Sequence, residues 1–243
     1  MVEHYVDIVG VASSNLASPT IKKGIILNYF KITHIPKVNW SSESPFNIKP
    51  RPKTLFFLFF GLTLFGLGEA LLIKSSLGVT PWTVFAEGVA KNFDISIGLA
   101  TFLVSISILI LWIPLKQKIG IGTISNAIII AFTIDLFVYL LPISTNIFLS
   151  IFEMIIGILL VGIGSGIYLI TNLGPGTRDG LMKGISENFQ KPIYIIRLSI
   201  EIIVVILGWL LGGTVGLGTL MFAILIGPVV SVSLVAIKST DNK

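Results

Sequence analysis

The chain has 243 residues, of which 53% are hydrophobic and only 12% charged, against roughly 45–50% and about 25% in soluble domains. With a mean hydropathy of +0.95, so little charge excludes a water-soluble globule and makes lipid the natural solvent. The net charge of +5 is scattered rather than gathered with aromatics into a patch, which argues against a nucleic-acid partner, and the absence of cysteine removes disulfides and thiolate chemistry.

Residues 1–52 are polar and broken by Pro19, Pro36, Pro45, Pro50 and Pro52. They open on Glu3 and Asp7 rather than on a basic region ahead of an apolar one, so no cleaved signal is expected. The segment reads as a poorly ordered basic arm. It holds both histidines, His4 and His34, which leaves the remainder without an imidazole for metal or acid–base work. From Leu55 onward six apolar runs reach bilayer length, about 17–25 residues: Leu55–Ile73, Ile95–Leu115, Ile119–Leu141, Ile147–Ile170, Ile193–Leu211 and Leu217–Ile237. Val79–Phe93 and Pro175–Phe189 are too short to cross and are amphipathic, and they are expected as interfacial or re-entrant helices. In the second, Leu181, Met182, Ile185 and Phe189 share one face, while Asp179, Lys183 and Glu187 form a charge ladder on another.

A shift of 96 positions superposes the chain on itself without a gap. It carries Gly61 onto Gly157, Gly68 onto Gly164, Leu77-Gly78 onto Leu173-Gly174, Asn92-Phe93 onto Asn188-Phe189 and Gly120 to Thr123 onto Gly216 to Thr219. Shared apolar composition produces chance Leu and Ile matches but not aligned glycines, so the chain reads as a duplication. If the short helices do not cross, each unit spans three times and the second enters from the opposite side. The expected architecture is an all-α polytopic membrane protein: six transmembrane helices as two inverted three-helix repeats (53–142 and 143–238), each with a short helix, followed by a tail at 239–243. Charge placement agrees. With the N-terminus inside, the inner loops carry Lys49, Arg51, Lys53, Lys116, Lys118, Arg178, Lys183, Lys191, Lys238 and Lys243, and the outer side only Lys74 and Lys91. Both termini are therefore expected in the cytoplasm.

Charges within spans need a reason. Arg197 and Glu201 lie four apart on one face, either as an ion pair that makes burial tolerable or as groups facing a water-filled cavity. Glu69 and Asp135 are intramembrane acids, whereas Glu153 sits near a helix start and reads as interfacial. Arg197, Glu201, Glu69 and Asp135 are not repeated: their counterparts are Thr101, Ser105, Ser165 and Ser231, so a symmetric scaffold carries asymmetric chemistry. Asn172 to Gly180 breaks a helix and starts another. Thr177 or Asp179 is expected to cap it, and Arg178 beside the exposed N–H groups suits an anion, although a tight turn with an inner-side arginine is the simpler reading. The counterpart of Arg178 is Trp82, read as an interfacial tryptophan. The spaced glycines Gly162, Gly166, Gly208 and Gly212 read as close helix packing.

Leu77 to Trp82, Gly120 to Thr123, Gly174 to Met182, Ile196 to Glu201, Gly208 to Gly213 and Ile226 to Pro228 together resemble the YczE-like bacterial integral membrane proteins, related to the YitT/YyaS group. The resemblance runs from about Leu55 to Ile237. Where the family usually has a proline before the arginine, this chain has Thr177, a departure that bears on local turn geometry. The resemblance implies a protein of the bacterial cytoplasmic membrane and supplies no reaction.

Two functions are weighed. A small-solute or ion transporter is favoured by the inverted repeats, the paired short helices and the unrepeated charges, with Arg178, Arg197, Glu201, Glu69, Asp135, Asn172 and Asp179 as candidate contacts. An accessory membrane protein, with a homo-oligomer or membrane partner, would account for the short loops. An enzyme is not expected, because no catalytic set is present, and no cofactor or metal is called for.

Overall fold

Pro52 and Pro81, whose missing N–H groups are not needed in a first helical turn, each open a helix. Residues 35–241 are described in the computed structural model, and among them are eight α-helices and no strand. The helices are α1 (Pro52–Ser75), α2 (Pro81–Phe93), α3 (Ile97–Trp112), α4 (Ile121–Leu140), α5 (Ile147–Ile170), α6 (Thr177–Phe189), α7 (Ile193–Leu210) and α8 (Leu217–Asp241). Helices α2, α3, α4 and α1 correspond in turn to α6, α7, α8 and α5. The starts of α6, α7 and α8 fall 96 residues after those of α2, α3 and α4.

Five helices, α1, α4, α5, α7 and α8, are long and apolar enough to cross a membrane. The expected run Ile95–Leu115 folds differently: α3 has 16 residues, too few to qualify alone, and joins α2 through a 112° bend. Counted together, the pair makes a sixth candidate span. The ends of α3 explain its length. Ser96 caps it by accepting from the Leu99 N–H at 3.1 Å, after Asp94 turns left-handed at φ 52°. Pro114 lies just past Trp112, where continued helix would lack a hydrogen bond.

Helix α1 packs on α5 and α4, α8 packs on α5, and each short helix crosses to the other half, α2 onto α7 and α6 onto α3. Glycines set the closest approach. A methyl group at Gly61 would lie 2.9 Å from the Gly164 carbonyl oxygen, and one at Gly68 would lie 2.6 Å from that of Gly157. Residue numbers rise along α1 as they fall along α5, so the two helices are antiparallel. Loop contacts exchange in the same way: Gly122 N–H donates to the Leu173 carbonyl and Gly218 N–H to the Leu77 carbonyl, both at 2.8 Å. Leu72, Ile158, Val161 and Leu234 fill the core around α1, α5 and α8.

Residues 35–50 lie against the helices. Trp40 stacks on Phe57 with ring centroids 4.2 Å apart, the Thr54 hydroxyl donates to the Trp40 carbonyl, and Ser42 N–H donates to the Thr171 carbonyl at 2.9 Å. The rest of the expected arm, residues 1–34 with both histidines, lies outside the described residues. Large apolar side chains cover the outside of the long helices, among them Phe132, Phe148, Phe152 and Ile203, each more than half exposed. So wide an apolar surface suits a lipid environment.

Candidate functional site

A cavity of about 130 Å³ lies where the two halves meet. Its walls come in counterpart pairs 96 positions apart: Trp82 with Arg178, Thr101 with Arg197, and Ser105 with Glu201. The starts of α2 and α6 both reach it, through Thr80 and Pro81 and through Gly176 and Thr177.

Four of the expected charged residues meet here. On α7, Arg197 Nε donates to Glu201 Oε1 at 2.9 Å, and both side chains line the cavity, 28% and 26% exposed. Ion pair and cavity wall, weighed as alternatives from the sequence, thus occur together. On α6, Asp179 accepts from the Tyr168 hydroxyl at 3.0 Å. The Arg178 guanidinium carbon lies 5.4 Å from the centre of the Trp82 ring, within cation–π range. Among the described residues Arg178 has neither a carboxylate ion pair nor a hydrogen bond. Helix α6 is not one of the long apolar spans. Burial pushes the Asp179 carboxyl above its ordinary value, while Arg197, the Tyr168 hydroxyl and Arg178 pull it down. Burial lowers Arg178 from its ordinary value, with Glu69 and Asp179 opposing.

Glu69 stands one layer behind the wall. It is fully buried on α1, where the Thr83 hydroxyl donates to Oε2 at 2.8 Å and the Thr80 hydroxyl lies 3.0 Å from Oε1. Asp135 and Asn172 are not brought to the cavity. Asp135 accepts from Gly98 N–H at 2.7 Å and from the Ser96 hydroxyl, joining α4 to the start of α3. Asn172 turns left-handed at φ 53° and donates through Nδ2 to the Ser42 carbonyl at 2.9 Å.

Three local expectations are corrected. Neither Thr177 nor Asp179 caps α6: Gly176 takes the extended N-cap conformation and supplies no side chain, which puts Thr177 and Asp179 inside the first turn. Trp82 does not face outward as an interfacial ring would: it is 7% exposed and held in the cavity wall against Arg178. The charge ladder is shorter than expected. Lys183 pairs with Glu187 at 3.8 Å, whereas Asp179 turns to Tyr168. Sequence reasoning also missed Thr80, Thr83, Asn126 and Tyr168. Register was the available signal, since Thr80 and Thr83 flank the counterpart of Arg178.

Among the described residues no group of three or more His, Cys, Asp or Glu side chains gathers to hold a metal ion. The glycines behave as packing positions. Gly162 meets the Val229 side chain and Gly208 the backbone of Val84 and Phe85, while Gly212, at φ +92°, sits in a turn.

Several long apolar helices, sheathed in exposed Phe, Ile and Leu around an apolar core that holds a small cavity with charged side chains in its wall, define a multi-helix membrane protein. The chain belongs to the family of unknown function DUF6198, which matches residues 52–234. It is 42% identical over 200 residues to an uncharacterized protein of Haemophilus influenzae, covering 82% of this chain and 91% of that one. It is 30% identical over 181 residues to the uncharacterized membrane protein YczE of Bacillus subtilis, covering 73% and 84%. Identity to the uncharacterized protein YyaS of the same organism is 28% over 166 residues, covering 66% and 82%. The expected YczE-like membership holds. No solved structure matches the chain.

Proposed function

We propose that the protein is a small-solute transporter whose site is the cavity between two inverted three-helix units. The observation that carries this reading is the cavity itself. Counterpart positions of the two halves wall it, yet one half contributes Thr101, Ser105 and Trp82 and the other Arg197, Glu201 and Arg178. Inversion is supported by the antiparallel pairing of the counterpart helices α1 and α5. A two-fold that exchanges antiparallel helices is perpendicular to them, and so lies in the membrane plane when they cross it. Support also comes from α2 and α6, two short helices whose N-termini meet at the cavity, the arrangement by which broken helices present dipole ends to solutes.

In this reading each unit crosses three times, α3 completing its crossing together with the bent α2, α6 enters without crossing, and both termini face the cytoplasm of a bacterial cell, as the Lys and Arg asymmetry favours. Arg178 and Arg197 provide positive contacts. Glu201 and Glu69 provide acids for ion coupling, and no catalysis or cofactor is required.

The test is uptake in proteoliposomes over a solute panel, comparing wild type with Arg197→Ala and Glu201→Ala. Loss of flux in both variants, with folding retained, supports the site; unchanged flux removes it. Co-purification of a stoichiometric partner, with no flux of any solute, would favour an accessory role.

A further inference from the structure

Resting on the reading of the cavity as a solute site, we propose that it takes a small monocarboxylate, whose carboxylate binds at the start of α6 against Arg178 and Thr177. The first N–H groups of any α-helix lack intrahelical acceptors and carry the positive end of the dipole. Gly176 provides no side-chain cap for those of α6. Thr177, the first residue of the helix, is 1% exposed and lines the cavity, and its hydroxyl has no hydrogen-bond partner among the described residues. A buried hydroxyl without a partner at an uncapped helix start points to a missing acceptor. Arg178 follows it, held over Trp82 with no carboxylate of its own among the described residues.

The other half shows what the missing acceptor is. The corresponding helix start, that of α2, is already served by a carboxylate: Glu69 takes hydroxyl contacts from Thr80 and Thr83. The counterpart of Glu69 is Ser165, which lines the cavity and donates its short hydroxyl to the Val161 carbonyl at 2.7 Å. At α6 the carboxylate at the helix start is that of Asp179, the counterpart of Thr83; it accepts from the Tyr168 hydroxyl and leaves the Thr177 hydroxyl without a partner among the described residues. A solute carboxylate supplies the acceptor that Thr177 lacks.

Charge and size narrow the class. The remaining cavity charges are engaged, Arg197 with Glu201 and Asp179 with Tyr168. A dianionic phosphate would face Asp179 and Glu201 with Arg178 as its uncommitted counter-ion, whereas a single carboxylate matches one guanidinium. A cavity of about 130 Å³ is below the roughly 300–1,000 Å³ of drug-sized sites, which suits a solute of a few heavy atoms.

The experiment is thermal unfolding of the full chain in nanodiscs, titrated at matched ionic strength with sodium acetate, sodium L-lactate, sodium phosphate or sodium chloride. A ligand that binds only the folded state raises the midpoint saturably. The expected result is saturable stabilisation by acetate and lactate but not by phosphate or chloride. Apparent affinity should fall about tenfold or more in Arg178→Gln and Thr177→Val and be largely kept in Thr177→Ser. If Arg178→Gln does not fold, Arg178→Lys and Thr177→Val carry the comparison. Absence of saturable stabilisation, equal stabilisation of the variants, or preference for phosphate would overturn the proposal. Lactate flux measured in parallel separates it from the transporter reading. Carboxylate binding through Arg178 without flux of any solute keeps the subsite and removes transport, while flux of another solute without carboxylate binding does the reverse.

Discussion

Arg178 and Trp82 occupy the same position of the two repeats, and they touch: the guanidinium carbon lies 5.4 Å from the centre of the indole ring. In the proposed inverted arrangement, counterpart positions meet only on the axis relating the two halves, and this pair would lie on it. The cation is asymmetric, supplied by the second half alone. The first half answers with a ring face, which holds a guanidinium without neutralising it.

Replacing Trp82 tests that role. Trp82→Phe should keep most of the contact, because a ring face remains. Trp82→Ala should lose the cation–π term, about 0.5–2 kcal/mol, and free the guanidinium to move. Flux at subsaturating solute should follow the order wild type, Phe, Ala, whereas a purely volumetric role would be restored by Trp82→Leu.

The Arg197–Glu201 pair makes a different prediction. Removing one partner leaves an uncompensated charge, which costs roughly 3–5 kcal/mol when fully buried. Each side chain here is about a quarter exposed, so Arg197→Met or Glu201→Leu alone should cost less, on the order of 1–3 kcal/mol. The double variant should recover part of that loss. Thermal denaturation in detergent around this four-protein cycle measures the coupling, and strictly additive losses would show that the pair is not coupled.

Asp135 should behave as a structural residue. It binds the first turn of α3 through Gly98 N–H and the Ser96 hydroxyl. Asp135→Ala should therefore cost about 0.5–2 kcal/mol, the range of a lost helix cap, and leave solute affinity unchanged. A changed KM in a folded Asp135→Ala protein would return this residue to the site.

Close packing of α1 on α5 is equally testable. A methyl at Gly164 would stand 2.5 Å from the Gly61 carbonyl oxygen and 2.7 Å from the Phe65 nitrogen, both backbone atoms that cannot give way. Gly164→Val should destabilise by about 1–3 kcal/mol or more, read as a lower midpoint and lower yield, while Leu220→Ala, at a 60% exposed position, should change little.

Much of this was legible in the chain because glycine and proline impose geometry locally. Gly78 and Gly174, at φ +110° and +114°, stand in the same place of each repeat, and the 96-residue shift that aligns them also aligns the helix starts. Arg197 and Glu201 were legible for a second reason, since residues four apart in a helix lie on one face. Long-range contacts were not legible. Nothing near Trp82 in the sequence distinguishes a tryptophan at a lipid interface from one beneath an arginine 96 residues away. Asp135 had equally good credentials as an intramembrane acid, and its partner, the start of α3, depended on a helix boundary that hydropathy had blurred. The start of α6 was misread because two good capping residues lay inside the helix while Gly176 took the cap position.

The central claim is that the cavity at the junction of the halves is an alternately accessible solute site. The chain has no cysteine, so a single reporter needs no background removed. Asn126 lines the cavity and is only half-buried. The decisive measurement is the labelling of Asn126→Cys by a membrane-impermeant thiol reagent added to one side or the other of oriented vesicles, with Lys118→Cys as the one-sided control. The account predicts labelling from both sides, slowed by a transported solute. Labelling of Asn126→Cys from one side only, or from neither, while Lys118→Cys reacts normally, would contradict it.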